Sequence, residues 1–209
     1  MRTRAPLTLI LLATITVIWL YEALTGAYMN DQAMIAMGAI IPDALQPNGY
    51  WRLVTGMFLH GGWLHWASNC WALYQLGTLY EMLFGTRRFA AVYFVTGICA
   101  SIASASHLMP GQPSLGASGA IFGLLGAFIF SIRRSPRYRN QPWTRGLIGQ
   151  LIFWIVVNIG IGMSVKMIDN VAHVGGLIAG LLIGLLPQNV PPQSPGSSVI
   201  DVNHTYGSE

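Results

Sequence analysis

Ser118 stands in Gly116-Ala117-Ser118-Gly119-Ala120. Glycines beside a serine let the backbone turn sharply and approach a neighbour closely. Where a helix starts, its first N–H groups have no intrahelical acceptor. Free N–H groups beside a hydroxyl are what a developing oxyanion needs. The chemistry of such a site would be acyl transfer through the serine oxygen. The same pentapeptide equally suits close helix packing in a membrane, where glycine and serine are common.

His173 lies in Asn170-Val171-Ala172-His173-Val174-Gly175-Gly176. Ionisable residues inside apolar segments are costly and mark function by default. A neutral imidazole accepts protons, so His173 is the candidate base for Ser118. The alternative is a hydrogen-bonded histidine at the membrane interface. His65 and Asn69, in His65-Trp66-Ala67-Ser68-Asn69, are four residues apart and share one helix face. Two polar side chains at membrane depth need a polar partner or a cavity. A hydrogen bond between helices serves that need as well as a reaction does.

These residues require elements to hold them. The chain has 209 residues, 53% hydrophobic and 9% charged, with a mean hydropathy of +0.52. Soluble domains carry about 25% charged residues. The composition therefore predicts an all-α polytopic membrane protein. Six stretches are apolar enough for spans: Leu7–Leu24, Leu64–Phe84, Phe89–Leu108, Leu115–Ile132, Leu147–Met163 and Val171–Leu186. The first is read as a retained span, since it outruns a signal-peptide core and no clear cleavage site follows. The long segment from Thr25 to Trp63 is rich in Ala, Ile, Met, Leu and Trp, broken by Pro42, Pro47 and Gly49. It predicts short helices half sunk in the membrane interface, a partly helical first outer loop. Residues 1–186 form one membrane domain. Residues 187–209, rich in Pro, Gln, Ser and Gly, predict a disordered cytoplasmic tail. The net charge of +4 fits topology-setting loops. No basic, aromatic-interleaved stretch offers a nucleic-acid surface. Cys70 and Cys99 fall in apolar stretches and read as packing residues.

Charge orients the spans. With the N-terminus in the cytoplasm, inner segments hold Arg2, Arg4, Arg87, Arg88, Arg133, Arg134, Arg137, Arg139 and Arg145; outer segments hold Arg52 and Lys166. Positive residues favour the inside, so both termini are expected in the cytoplasm. The second, fourth and sixth spans then all start on the outer side, putting Ser118, His173, His65 and Asn69 at one level. Arg133 follows Ser118 by 15 residues, roughly 22 Å of helix. In a core about 30 Å thick, Ser118 lies roughly 5–10 Å below the outer surface. Gly119 and Gly123 repeat at four residues, as do Gly176, Gly180 and Gly184. Such faces predict a tight helix pair able to join Ser118 to His173. Asp169, four residues before His173, is expected too far out to complete a triad.

Assembled in this order, the residues resemble the rhomboid family of intramembrane serine proteases. The resemblance runs from about Ile40 to Leu186. Gly116-Ala117-Ser118-Gly119 matches the family's nucleophile motif, and His173 its histidine in the sixth span. His65 and Asn69 match the polar pair of its second span. His60, Trp51-Arg52 and Glu81 fall where the family carries such residues. The resemblance implies a Ser118–His173 dyad without a third acid. It implies an oxyanion hole from His65, Asn69 and the Ser118 N–H, supported by Gly116, Gly119, Phe122 and His60. Some members carry a tyrosine where this chain has Phe122. The family's gate would be the fifth span and the loop after it, around Phe153, Trp154 and Met163 to Asn170. Trp51-Arg52 would be structural. Partners would be transmembrane protein substrates within the lipid bilayer of the inner (plasma) membrane, cut near its outer face. Neither metal nor organic cofactor is expected.

Overall fold

The computed structural model describes residues 5–165 and 168–187. Arg2, Arg4 and Lys166 of the charge count, and the tail from 188 onwards, lie outside the described residues. Eight α-helices are present among those described: α1 Pro6–Thr25, α2 Asp31–Met37, α3 Arg52–Thr55, α4 Trp63–Phe84, α5 Thr86–Ala105, α6 Ser118–Arg134, α7 Thr144–Ser164 and α8 Asn170–Gly184. Each of the six apolar stretches falls on one long helix (α1, α4, α5, α6, α7 or α8).

Three of these helices, α1, α5 and α7, are long and apolar enough to cross a membrane. The other three fall short for visible reasons. α6 has 17 residues and α8 has 15. α4 has 22 but carries His65, Asn69, Gln75 and Glu81. Several boundaries differ from expectation, two of them for a visible reason. α5 starts at Thr86, because Arg88 belongs to the helix and spends its charge locally. Its guanidinium donates to the Tyr80 hydroxyl and to the Ile183 and Pro187 carbonyls at the end of α8. α6 starts at Ser118 instead of Leu115, because Gly116 has φ +119° and cannot join a right-handed helix.

Local chemistry sets the other ends. Pro6 opens α1 and Gly26, at φ 70°, closes it. The Asn30 side chain accepts the Gln32 and Ala33 N–H groups to cap α2. The first loop is partly helical as expected, with α2, α3 and three 3₁₀ turns. Arg52 donates to the Ile35 and Ala39 carbonyls, and Thr55 Oγ1 to the Gly38 carbonyl at 2.9 Å. These bonds fold the loop on itself through Arg52 and Thr55. Glu81 joins three helices. Its carboxylate accepts the Leu7 and Thr8 N–H groups, the Thr8 hydroxyl and the Thr86 hydroxyl. Two orphan donors at the start of α1 are thereby satisfied.

α6 is the central helix, buried along most of its length. It packs on α4 and α5 through a core that includes Tyr80, Phe84, Phe89, Tyr93, Leu124 and Phe128. Against α8 it packs through glycine. A Cβ on Gly176 would collide with the Gly119 carbonyl oxygen, and one on Gly180 with the Gly123 carbonyl oxygen. The expected glycine-faced pair is therefore α6 with α8. α7 is the outlier: only Thr144, Leu151 and Gly162 are buried along it.

This packing makes a contrast measurable. Gly180→Leu should force α6 and α8 apart and lower the thermal midpoint of the purified protein. Overpacking typically costs about 1–3 kcal/mol, and here the obstacle is backbone that cannot move aside. Gly160→Ala, on α7 where a Cβ meets nothing within 4 Å among the described residues, should leave the midpoint unchanged or raise it slightly.

Candidate active site

Ser118 is the first helical residue of α6. The first regular bond of the helix runs from the Ile121 N–H to the Ala117 carbonyl at 3.0 Å. The N–H groups of Ser118, Gly119 and Ala120 thus fall within the turn that lacks intrahelical acceptors. Backbone hydrogen bonds tie the segment entering this helix to the first loop. Ile40 and Ser114 exchange both backbone hydrogen bonds, at 2.8 and 2.9 Å, and the Gly116 N–H donates to the Gly56 carbonyl at 2.8 Å. The first loop therefore sets where Ser118 begins.

His173 sits in the first turn of α8 and is buried, 7% exposed. Its Nε2 lies 2.9 Å from Ser118 Oγ. The Phe122 ring, one turn after Ser118, stacks on the imidazole with centroids 4.2 Å apart and planes 9° from parallel. Phe122 thus packs on the imidazole without the hydroxyl that a tyrosine would carry. His173 Nδ1 is buried and has no hydrogen-bond partner among the described residues. Asp169 does not reach it; its carboxylate is taken by other donors.

His65 approaches the serine segment from α4. A Cβ on Gly116 would stand 2.7 Å from His65 Cε1 and Nε2. Gly116 is therefore required twice, by its positive φ and by the imidazole against it. Asn69 is buried and donates one amide hydrogen to the His65 carbonyl at 2.9 Å. Its amide carries a second donor. His60, fully buried, sets its ring edge-on to His65 with centroids 5.0 Å apart. Burial, then the neighbouring His65, pushes the His60 pKa down from the usual 6.5 to about 3. His60 is thus neutral near pH 7. Its Nδ1, 3.3 Å from the Phe58 carbonyl, is then the protonated nitrogen.

The sequence-predicted residues divide into two groups. Ser118, His173, Phe122, Gly116, Gly119, His65, His60 and Asn69 gather around the start of α6. Phe153 and Trp154 do not join them. They lie on the outward face of α7, 59% and 53% exposed, edge-on to each other at 5.6 Å. Two supports escaped the sequence reading. Glu22, buried in α1, accepts the His60 N–H through both carboxylate oxygens, at 3.2 and 3.4 Å. An acid inside an apolar span was the signal for it. Ser104 and Ser114 bind Asp169, and single serines in apolar helices and loops give no comparable signal.

A helical, polytopic membrane protein with a serine hydroxyl bonded to a buried histidine is the class that fold and site define together. A family model described as Rhomboid domain matches residues 47–188. The chain is 39% identical over 157 residues to the rhomboid protease GluP of Bacillus subtilis (strain 168), covering 75% of this chain and 30% of that protein. It is 38% identical over 163 residues to RHOMBOID-like protein 7 of Arabidopsis thaliana, covering 78% and 49%. It is 30% identical over 154 residues to Rhomboid-type serine protease 2 of Emericella nidulans, covering 74% and 30%. The chain belongs to the rhomboid family. It spans about a third to a half of the length of these relatives.

Two measurements probe the site's construction. A buried neutral histidine opposes acid, because the unfolded chain binds a proton that the folded one refuses. The His60 contribution is intact above pH 6.5 and is lost as pH falls towards 3. The thermal midpoint should drop between pH 7 and pH 4, and His60→Asn should flatten that slope. Phe122→Ala should slow modification of Ser118 by a fluorophosphonate by roughly tenfold, the loss of one aromatic stack, while Phe122→Tyr should retain the rate.

Proposed function

We propose that this chain is an intramembrane serine endopeptidase that cuts transmembrane segments near the outer membrane face. The single observation that carries the reading is the 2.9 Å contact between Ser118 Oγ and His173 Nε2 at the start of two glycine-packed helices. Membership of the rhomboid family and the printed names of its relatives support it.

In this mechanism His173 Nε2 takes the Ser118 proton as Oγ attacks the scissile carbonyl. The oxyanion develops beside the first turn of α6, where the Ser118 N–H lies. The second amide hydrogen of Asn69 and the His65 ring supply further donors. His173 then passes the proton to the leaving amine. A water, activated by the same imidazole, hydrolyses the acyl-enzyme. No acid touches the His173 ring among the described residues; the Phe122 stack and burial hold it.

The geometry bears on access as well. Ser118 is half-buried, and α6 and α8 are too short to fill a bilayer about 30 Å thick. Short helices starting below the outer surface leave room for water above them, as hydrolysis requires. In this reading all six long helices cross the membrane, with both termini in the cytoplasm of a plasma-membrane protein. α7, the least buried helix, is the element beside which a substrate helix enters, with Phe153 and Trp154 on its gate face. Substrates are single transmembrane helices with helix-breaking residues and a small residue before the cut.

Ser118→Ala and His173→Ala should each abolish cleavage of a single-span substrate in liposomes, a loss of at least about 10³-fold, with thermal midpoints near wild type. Mass spectrometry of fluorophosphonate-treated protein should find the adduct on Ser118. Wild-type turnover by either variant would sink the reading.

A further inference from the structure

Asp169 is the acid nearest the proposed base in sequence, yet its carboxylate faces elsewhere. Oδ1 accepts the Ala172 N–H at 2.9 Å, capping α8. Oδ2 accepts two hydroxyls from other parts of the chain, Ser104 Oγ on α5 and Ser114 Oγ at 2.7 Å. Ser104 is fully buried and Ser114 is 9% exposed. Ser114 is the residue paired with Ile40, two residues before Gly116 and four before Ser118. The Asp169 carbonyl also accepts the His173 N–H at 3.2 Å.

We propose that Asp169 is a positioning residue: a single carboxylate that ties the segment leading into Ser118 to the helix turn carrying His173, with α5 as the fixed third point. The inference rests on the protease reading above and adds a residue to its machinery. A cap needs only one oxygen. The second oxygen is aimed across the fold, at two hydroxyls that α8 does not need for its own stability. Both oxygens have partners, so the carboxylate is locked in rotation as well as in place. The glycine contact fixes how closely α6 and α8 approach. The clamp fixes their entry segments, and so the direction from Oγ to Nε2. Asp169 acts through backbone geometry and never touches the reacting atoms. A charge-relay role would need it on His173 Nδ1, which has no partner among the described residues.

The test separates clamp from cap. The double variant Ser104→Ala/Ser114→Ala leaves the cap intact and removes only the cross-links. In the full chain, reconstituted in liposomes, it should lower kcat and the rate of Ser118 labelling by roughly 10- to 100-fold, the effect of sub-ångström to ångström misplacement. KM for a single-span substrate should stay within about twofold. Asp169→Ala should lose at least as much. Adding it to the double serine variant should cost little more, because the groups act as one unit. Asp169→Asn keeps an acceptor for Ala172 and offers an amide to the serines, so it should recover part of the rate. If Asp169→Ala does not fold, Ser104→Ala and Ser114→Ala singly carry the same test. Wild-type kcat and labelling in the double serine variant would overturn the clamp alone. A wild-type chain that neither cleaves substrate nor labels at Ser118 would overturn the protease reading and the clamp with it.

Discussion

The structure depends on the absence of side chains between α6 and α8. At Gly176 and Gly180 the backbone of one helix rests on the carbonyls of the other. Lipid tails are as apolar as leucine, so apolar burial gives two membrane helices little reason to associate. Close backbone packing does. That contact also has a chemical consequence. Ser118 and His173 are each in the first turn of their helix, and each is one turn or less from an interface glycine, Gly119 or Gly176. Closing the glycine contact therefore brings the hydroxyl and the imidazole to hydrogen-bond distance without any long, flexible side chain.

Four charged side chains of this apolar fold serve helix ends. Glu81 satisfies the first donors of α1 and holds α4 and α5 to it. Arg88 satisfies carbonyls at the end of α8, and Arg52 those at the end of α2. Asp169 caps α8 and reaches two further elements. Where such a bond is buried, as at Glu81, it is worth more than it would be on a soluble surface, and losing it would cost more. The first loop follows the same logic. Its hydrogen bonds to Ser114 and Gly116, and the His60 ring set against His65, make it part of the site's frame.

Much of this is legible in the sequence. Six apolar stretches each became one helix, since hydropathy over about 20 residues is a strong signal. The repeated glycines correctly named the helices that pack together. Boundaries were less legible where two signals compete. Arg87 and Arg88 argued against a helix start at Thr86, but arginine can carry its charge back to free carbonyls. Leu115 looked like the start of an apolar helix, but the conformation of Gly116 forbids it.

By itself the sequence determined which residue types could react, which helices carry them, and which glycines let those helices touch, because composition and spacing are local properties. The supports were decided only by tertiary structure. Glu22 beneath His60, His65 against Gly116, and Asp169 between Ser104 and Ser114 join residues 38, 51, 65 and 55 positions apart. No periodicity spans such distances. A buried carboxylate takes whichever donors the packed chain presents to it, and only the packed chain says which those are.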